Sequence, residues 1–265
     1  MNVSGGSPLD LSNPFGAPVY CRETVASTMD EGRVLAAKGA SHGTVIAAAF
    51  QSAGRGRAGR SWNITRGEGL PFTIILRYSS VHALPSCLTL KAGLAASLAI
   101  ERAVADSPVS PAPRVLVKWP NDIMVVMKNG TGGKIAGILA EASGAVVCLG
   151  MGINIAQTAF PPDLSGKASS LALAFRRTPD AFALLESILA GLYAVLETES
   201  PWRQPLEDRL YMKGRVVRFI DGAAGSGRVV EGRLRGIGPE GELLIRPEGE
   251  NEDRRFITGE LDVYG

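Results

Sequence analysis

Apolar residues are clustered along the first two thirds of the chain in short runs bounded by glycine, proline and polar residues. Such runs, rich in β-branched residues, predict buried strands. They are Thr44–Phe50, Leu70–Arg77, Arg114–Lys118, Ile123–Met127, Lys134–Glu141 and Ala145–Ile155. Three other segments have helical character: one capped by Ser27 or Thr28 and ending near Gly39, one over Thr89–Val104, and one over Pro179–Glu199. In the last segment, Phe182, Leu185, Leu189 and Leu192 fall on one face.

The pattern changes after Pro201, where five shorter β-type runs follow one another. They are Arg215–Ile220, Val229–Ile237, Glu242–Arg246, Arg254–Ile257 and Leu261–Tyr264. Turn signals such as Asp221-Gly222 separate them. Several short strands at this spacing predict a small β-barrel. We therefore expect a larger domain over residues 1–208, with residues 1–18 as a loose lead-in, and a small β domain over residues 209–265.

Composition limits the class of protein. With 45% hydrophobic and 20% charged residues in 265, the chain is not intrinsically disordered. Its 28 basic and 26 acidic residues nearly cancel, which argues against a global polycation but not against a local basic patch. Three widely spaced cysteines fit no metal motif and favour reduced thiols in the cytoplasm. The N-terminus carries no targeting signal, and glycines interrupt the uncharged stretch 142–162, so we expect no membrane span.

The strongest local motif is the segment Gly54–Arg60, GRGRAGR, which is followed by Trp62. Glycines let backbone N–H groups approach an anion, and arginines donate in pairs to phosphate. The segment therefore predicts a phosphate or polyanion site, and a solvated basic turn is the alternative. It also matches GxGxxG, but a strand follows it and no acid occurs between Gly69 and Ile100. A dinucleotide-binding fingerprint is therefore not expected.

Three more motifs carry polar residues on apolar strands. Asp122 ends KWPND, where it either orients a lysine or metal-phosphate in a cleft or forms an Asx turn. Lys134 opens KIAGIL and either snorkels to water or stands as a fixed positive charge. Asn154 ends GMGIN and either contacts a purine edge or caps a turn. Because no serine or cysteine nucleophile is paired with a histidine, the set favours nucleotidyl transfer over acyl hydrolysis.

QSAGRGRAGRSW, KWPND, KIAGIL and GMGIN occur here in the order found in biotin–protein ligases, and the chain resembles that family over about residues 20–265. The resemblance implies an α+β fold: a mixed central sheet flanked by helices, as in class II synthetases, with a C-terminal SH3-like β-barrel. It implies a two-step activity as well. Biotin and ATP give biotinyl-5′-AMP and pyrophosphate, and a lysine of a carrier domain then takes the biotin and releases AMP.

The resemblance also implies roles for individual residues. Biotin contacts are expected from Ser27, Thr28, Gln51, Arg55, Gly56, Arg57, Lys134 and Gly137. ATP contacts are expected from Arg57, Arg60, Trp62, Lys134 and Asn154, with Trp62 stacked on adenine. The residues expected to act in catalysis are Arg57, Lys134 and Asp122, the last orienting or deprotonating the acceptor lysine. Mg²⁺ is expected to arrive with ATP, without a tightly bound metal, and biotin to be a substrate.

Departures from the family pattern are few. Met29 stands where some members have Asn, Ala58 replaces a basic residue, and Pro71 lies in a strand, at its first residue by our expectation. About 20 residues precede the ligase region, too few for a helix-turn-helix domain, so we expect no sequence-specific DNA binding. The expected partner is a biotin carboxyl carrier protein or a carboxylase carrier domain. The family includes monomers and dimers, which leaves a homodimer open.

Three rival functions differ in what they need. A lipoate or octanoate ligase shares the catalytic fold, but its RRxSGG-type motif is absent from this sequence. A nicotinamide-dinucleotide enzyme would need the acid and helix missing after the glycine motif. A non-catalytic protein that binds biotin, a nucleotide or RNA through the arginine segment would bind without turnover. Formation of an adenylate that requires Mg-ATP separates the ligase from the last of these.

Overall fold

The structure is a computed structural model that describes residues 7–198, 200–222 and 227–262. Seven strands form the larger sheet: β1 (Val19–Arg22), β2 (Val45–Ala48), β3 (Gly69–Arg77), β4 (Arg114–Lys118), β5 (Asp122–Val126), β6 (Gly132–Ser143) and β7 (Val146–Asn154). The helices are α1 (Thr28–Ala37), α2 (Leu88–Ala103), α3 (Leu171–Phe175), α4 (Ala181–Glu197) and α5 (Arg203–Glu207). Five strands form a second sheet: β8 (Val216–Asp221), β9 (Arg228–Ile237), β10 (Leu243–Pro247), β11 (Arg254–Phe256) and β12 (Glu260–Asp262).

The larger sheet has the order β1-β2-β3-β7-β6-β5-β4. β1 and β2 pair in parallel and the other neighbours are antiparallel, so the sheet is mixed. Helix α1 packs on β3 and β7, α2 packs on β4 and β6, and α4 packs on α2. The expected mixed sheet flanked by helices, with a small antiparallel β unit after it, is confirmed.

Local chemistry explains where these elements begin. The Ser27 side chain accepts a hydrogen bond from the Met29 backbone N–H at 3.2 Å, which caps α1. The Asp180 carboxylate accepts from two backbone N–H groups at the start of α4. Strands β3 and β7 are buried along almost their whole length, because helices and loops cover the sheet. This is why both are continuous apolar runs rather than alternating ones.

The second sheet has the order β11-β10-β9-β8-β12 and shares an apolar cluster with the larger sheet. Trp119, which follows β4, lies 5.8 Å from the Phe219 ring and donates its indole N–H to the Gly241 carbonyl at 2.9 Å. Leu90 and Leu94 of α2 belong to the same cluster. These contacts hold the second sheet against the turn between β4 and β5, which carries KWPND. We propose the domain boundary at residues 208 and 209.

Several local features were not evident in the sequence. No prediction covered β1, α3 or α5. Pro71 is the third residue of β3 rather than its first, as we had expected, and it lies beyond the register with β2, which ends at Phe72. A proline is tolerated in a strand where one side has no neighbouring strand that needs its missing backbone N–H. Glu199 and residues 263–264 of the predicted last strand lie outside the described residues.

The segment Val81–Ala103, which contains α2, is apolar and long enough to cross a membrane by length and composition, with a mean hydropathy of 1.5. Half of its most apolar window is buried inside the protein. Because α2 packs between α4 and the sheet, the core of the fold accounts for this apolar character.

Candidate active site

A cavity opens where α1, the arginine loop (residues 54–62) and strands β6 and β7 meet. It holds about 440 Å³ of open space, including the solvent at its mouth. Its lining residues are Ser27, Thr28, Met29, Gln51, Arg55, Gly56, Arg57, Trp62, Asn121, Lys134, Gly137, Ile138, Leu139, Gly150, Met151 and Gly152. All eight residues predicted to contact biotin are among them.

The inner end of the cavity is a polar corner built at the start of α1. The Gln51 side-chain oxygen accepts from the Thr28 backbone N–H at 2.7 Å and from the Thr28 hydroxyl at 3.1 Å. The Thr73 hydroxyl of β3 donates to the Thr28 hydroxyl at 3.0 Å. Met29 lies beside this corner and packs on Gly150. The corner therefore presents fixed polar groups next to an apolar thioether.

The floor of the cavity is a pair of glycines that leaves room for Trp62. Gly137 of β6 and Gly152 of β7 are register partners. A Cβ added at Gly152 would lie 2.8 Å from Trp62 Cδ1 and closer still to the indole nitrogen, whereas one added at Gly137 would lie 3.1 Å from the ring. The indole therefore packs directly on backbone. Its buried Nε1–H has no hydrogen-bond partner among the described residues.

We expect Gly152→Ala to displace the Trp62 indole and to lower the free energy of unfolding by about 1–3 kcal/mol, the usual cost of overpacking. Gly137→Ala, with its looser approach, should cost about 1 kcal/mol or less. Urea unfolding measures both costs. The indole N–H cross-peak of Trp62, assigned by its loss in Trp62→Phe, should move in Gly152→Ala. If the two alanine variants were equally stable and the cross-peak did not move, the proposed packing of Trp62 on Gly152 would be contradicted.

Lys134 and Asp122 form an ion pair at one side of the cavity, with Nζ 2.7 Å from the carboxylate Oδ1. Both lie at strand starts, Asp122 at the beginning of β5 and Lys134 near the beginning of β6. Lys134 Nζ also lies 5.1 Å from the centre of the Trp62 ring, within cation–π distance. The ammonium is therefore held on two sides and faces the cavity, and the structure brings together two of the three predicted catalytic residues.

The three arginines of the arginine loop have different partners. Arg55 forms an ion pair with Asp30 of α1 at 2.7 Å, and Arg60 forms one with Glu260 of β12 at 3.0 Å. Arg57 donates to a neutral group, the Gly259 carbonyl, at 2.7 Å. Since no carboxylate among the described residues forms an ion pair with Arg57, its positive charge is uncompensated within that part of the chain. Of the three, Arg57 is therefore the side chain best placed to receive an anion in the cavity.

Three predicted site residues do not line the cavity. Asp122 lies behind Lys134, and Arg60 is turned toward Glu260. Asn154 is buried, donates to the Ser169 carbonyl at 3.0 Å and accepts from the Gln157 side chain at 3.1 Å. Its contact with adenine stays a prediction, as does the stacking of adenine on Trp62.

Lys118 and Asn121 belong to KWPND, but the sequence suggested no role for either. Asn121 lines the cavity and donates to the Ile138 carbonyl at 2.7 Å. Lys118 is only 4% exposed and is the register partner of Asp122. Burial lowers the pKa of Lys118 below its ordinary value of 10.5, against the opposing effect of Asp122. In the sequence, the one feature that could have indicated a buried lysine was its position at the end of the apolar run Val-Leu-Val.

We expect the stability of the wild type relative to Lys118→Met to depend on pH, because burial lowers the pKa of Lys118. The pKa of Lys118 is lower in the folded protein than in the unfolded chain, so the unfolded chain binds more protons at pH values just below 10.5. The contribution of Lys118 to the free energy of unfolding therefore increases with pH in that range. The stability of the wild type relative to Lys118→Met should therefore increase as pH approaches 10.5. Urea unfolding between pH 7 and pH 10 measures the difference, with Lys213→Met as a matched control. A difference independent of pH would contradict the burial effect.

The described residues contain no group of three or more His, Cys, Asp or Glu side chains placed to hold a metal ion. Asp122, the carboxylate that the sequence predicts at the site, is paired with Lys134.

The chain resembles known proteins in sequence. A family model described as the biotin/lipoate A/B protein ligase family matches residues 22–155. The bifunctional ligase/repressor BirA of Bacillus spizizenii is 32% identical over 182 residues, which are 66% of this chain and 52% of that protein. The biotin–[acetyl-CoA-carboxylase] ligase of Mycobacterium tuberculosis is 34% identical over 65% of this chain and 62% of its own length. The chain thus spans about half to three fifths of the length of these curated relatives.

Solved structures resemble the fold over nearly the whole chain. A biotin protein ligase from Aquifex aeolicus, solved in complex with biotin and ATP, has a TM-score of 0.73 and 25% identity, covering 92% of this chain and 97% of that one. A biotin protein ligase from Leishmania major, with 24% identity and a TM-score of 0.61, shares the fold. Because the family model matches half of the chain, the protein belongs to the biotin/lipoate A/B protein ligase family.

Proposed function

We propose that this protein is a biotin–protein ligase, which activates biotin as biotinyl-5′-AMP and transfers it to a lysine of a biotin carrier domain. The observation that carries the proposal is the cavity under the arginine loop. There a polar corner, an arginine without an ion-pair partner among the described residues, and a lysine that is paired with a carboxylate behind it lie around one space. The similarity to the Aquifex aeolicus ligase, whose complex contains biotin and ATP, supports these two substrates.

In the first step, an oxygen of the biotin carboxylate attacks the α-phosphorus of ATP, and the bond to the bridging oxygen of pyrophosphate breaks. The attack brings two anions together, so the site must supply positive charge where they meet. Lys134 and Arg57 both line the cavity and supply it. The Thr28–Gln51 corner offers hydrogen-bonding groups for the ureido ring of biotin. Such a reaction needs positioning and electrostatics rather than a protein nucleophile.

In the second step, the amine of the carrier lysine attacks the acyl carbon of the adenylate, an amide forms, and AMP leaves with the bonding electron pair. The attacking amine must lose a proton. Asp122 stands next to the site, since its carboxylate lies 2.7 Å from the ammonium of Lys134, which lines the cavity. We assign it the orientation or deprotonation of that amine. The partner is a biotin carboxyl carrier protein or the carrier domain of a carboxylase.

Mg²⁺ would enter on the triphosphate and neutralise part of its charge. The state of the cysteines suits a reducing compartment. Cys21, Cys87 and Cys148 are free thiols, and burial raises the pKa of each, which keeps them protonated and unreactive. We therefore place the protein in the cytoplasm.

The decisive test is a mass spectrum of a folded biotin carrier domain after incubation with the protein and Mg-ATP. One tube contains biotin and a parallel tube contains lipoate. A biotin-sized gain in mass that requires ATP is the expected result. Omitting ATP and replacing the acceptor lysine of the carrier by arginine are the controls.

Two results would contradict the proposal. A gain in mass only with lipoate would assign the sister activity of the same family. No gain with either acid, together with biotin binding in calorimetry, would favour a non-catalytic binding protein.

A further inference from the structure

The arginine loop forms hydrogen bonds and an ion pair with residues near the C-terminal end of the chain. Arg60 donates to both carboxylate oxygens of Glu260, at 3.0 and 3.3 Å, across 200 residues. Arg57 donates to the carbonyl of the neighbouring Gly259 at 2.7 Å, across 202 residues. Two of the three arginines thus meet consecutive residues at the start of β12.

The loop is folded so that one attachment holds its whole tip. Arg55 and Ser61 form an antiparallel bridge, which makes the loop a short hairpin. Across it, the Gly56 backbone N–H donates to the Arg60 carbonyl at 2.7 Å. The Arg60 side chain donates in turn to the Arg57 carbonyl at 3.3 Å. Fixing Arg60 therefore also fixes the backbone that carries Arg57.

Glu260 is the rigid member of this contact. It pairs with Ile220 of β8, and Gly259 packs so closely on the buried Phe219 ring that an added Cβ would lie 2.9 Å from Cε1. The Glu260 side chain is 23% exposed and that of Arg60 is 56% exposed. The second sheet thus offers a fixed carboxylate to a solvent-facing arginine. Since Arg60 does not line the cavity, this pairing takes no charge from it.

We propose that Glu260 is a positioning residue, which holds Arg60 and thereby keeps the arginine loop and Arg57 closed over the cavity. The inference rests on the proposed function, because it gives the second sheet a task in that reaction: retaining the reactive adenylate until the carrier arrives. Exposed ion pairs shift equilibria by small factors, and a bidentate arginine–carboxylate pair lies at the upper end of that range. Such a strength suits a loop that must also open to exchange ligands.

Glu260→Gln tests this proposal, because it removes the charge and keeps the shape. Asp262→Asn is the matched control: Asp262 lies two residues along the same strand and forms an ion pair with Arg218, away from the loop. The first measurement is tryptic cleavage within residues 54–62 of the ligand-free protein. The second is release of preformed biotinyl-5′-AMP in the absence of a carrier.

We expect Glu260→Gln to raise both rates about fivefold, while Asp262→Asn keeps the wild-type values. Raising the salt concentration should speed tryptic cleavage in the wild type more than in Glu260→Gln, because only the wild type has the ion pair to screen. The KM for ATP should increase in Glu260→Gln with kcat of adenylation unchanged.

Cleavage and release rates in Glu260→Gln equal to those of Asp262→Asn would overturn the proposal, and so would an equal salt response of the wild type and Glu260→Gln. If the wild type forms no adenylate, the proposed function fails, but the tryptic cleavage of ligand-free protein still decides whether Glu260 holds the loop.

Discussion

Lys134→Ala is expected to slow formation of biotinyl-5′-AMP by about 100- to 1000-fold, the usual effect of removing one fixed charge from a reacting centre. Two losses combine in this variant. The positive charge disappears from the cavity, and Asp122 loses an ion-pair partner that lies 2.7 Å away in the wild type, so its negative charge is less screened from the two anionic substrates. Exchange of pyrophosphate into ATP in the presence of biotin measures the step without a carrier.

The double variant Lys134→Ala/Asp122→Asn separates these losses. If the stranded carboxylate contributes, the double variant should exchange pyrophosphate faster than Lys134→Ala alone, which is non-additivity typical of a contacting pair. Lys213→Ala removes a lysine of another lysine–carboxylate pair, with Glu207, and should behave as the wild type. An exchange rate of Lys134→Ala near that of the wild type would remove Lys134 from the first step.

Arg57→Gly should leave the protein folded and able to form the adenylate, but should release it roughly 10- to 100-fold faster. That factor corresponds to the loss of one charge-assisted hydrogen bond. Arg57 is the arginine of the loop whose described contact, with the Gly259 carbonyl, leaves its charge free for the phosphate. The variant also loosens the loop at its tip. Rapid gel filtration of labelled adenylate measures release, and biotin appearing on bystander proteins is the accompanying sign of escape.

Arg66→Gly is the matched control for this experiment. Arg66 follows the loop, lies outside the cavity and forms an ion pair with Glu23 at 2.6 Å. It should retain the adenylate as the wild type does. Retention by Arg57→Gly equal to that of Arg66→Gly would show that Arg57 does not hold the intermediate. The two arginine variants should have similar free energies of unfolding, since neither residue is part of the core.

The sequence was most informative where a residue's chemistry is local. The β4 run, Arg114–Lys118, was predicted to the residue, and Ser27 caps α1 as expected, because capping and buried runs depend on neighbouring residues. Three short elements escaped prediction: β1 has four residues, and α3 and α5 have five each, and none of them stands out as a separate apolar run or a periodic pattern. They form because the larger fold holds them in place.

The sequence also indicated most of the residues that line the candidate site: the glycines, arginines and lysine through their chemistry, and Ser27, Thr28 and Gln51 through the family resemblance. It did not determine their partners. Whether Arg60 meets a phosphate or Glu260, and whether Lys118 lies in water or in the core, depends on residues up to 200 positions away. Ion pairs and burial across such separations arise only when the second sheet packs on the first. The motifs of the chain therefore specify which functional groups are available, and the tertiary structure determines which of their charges remain free to act on a substrate.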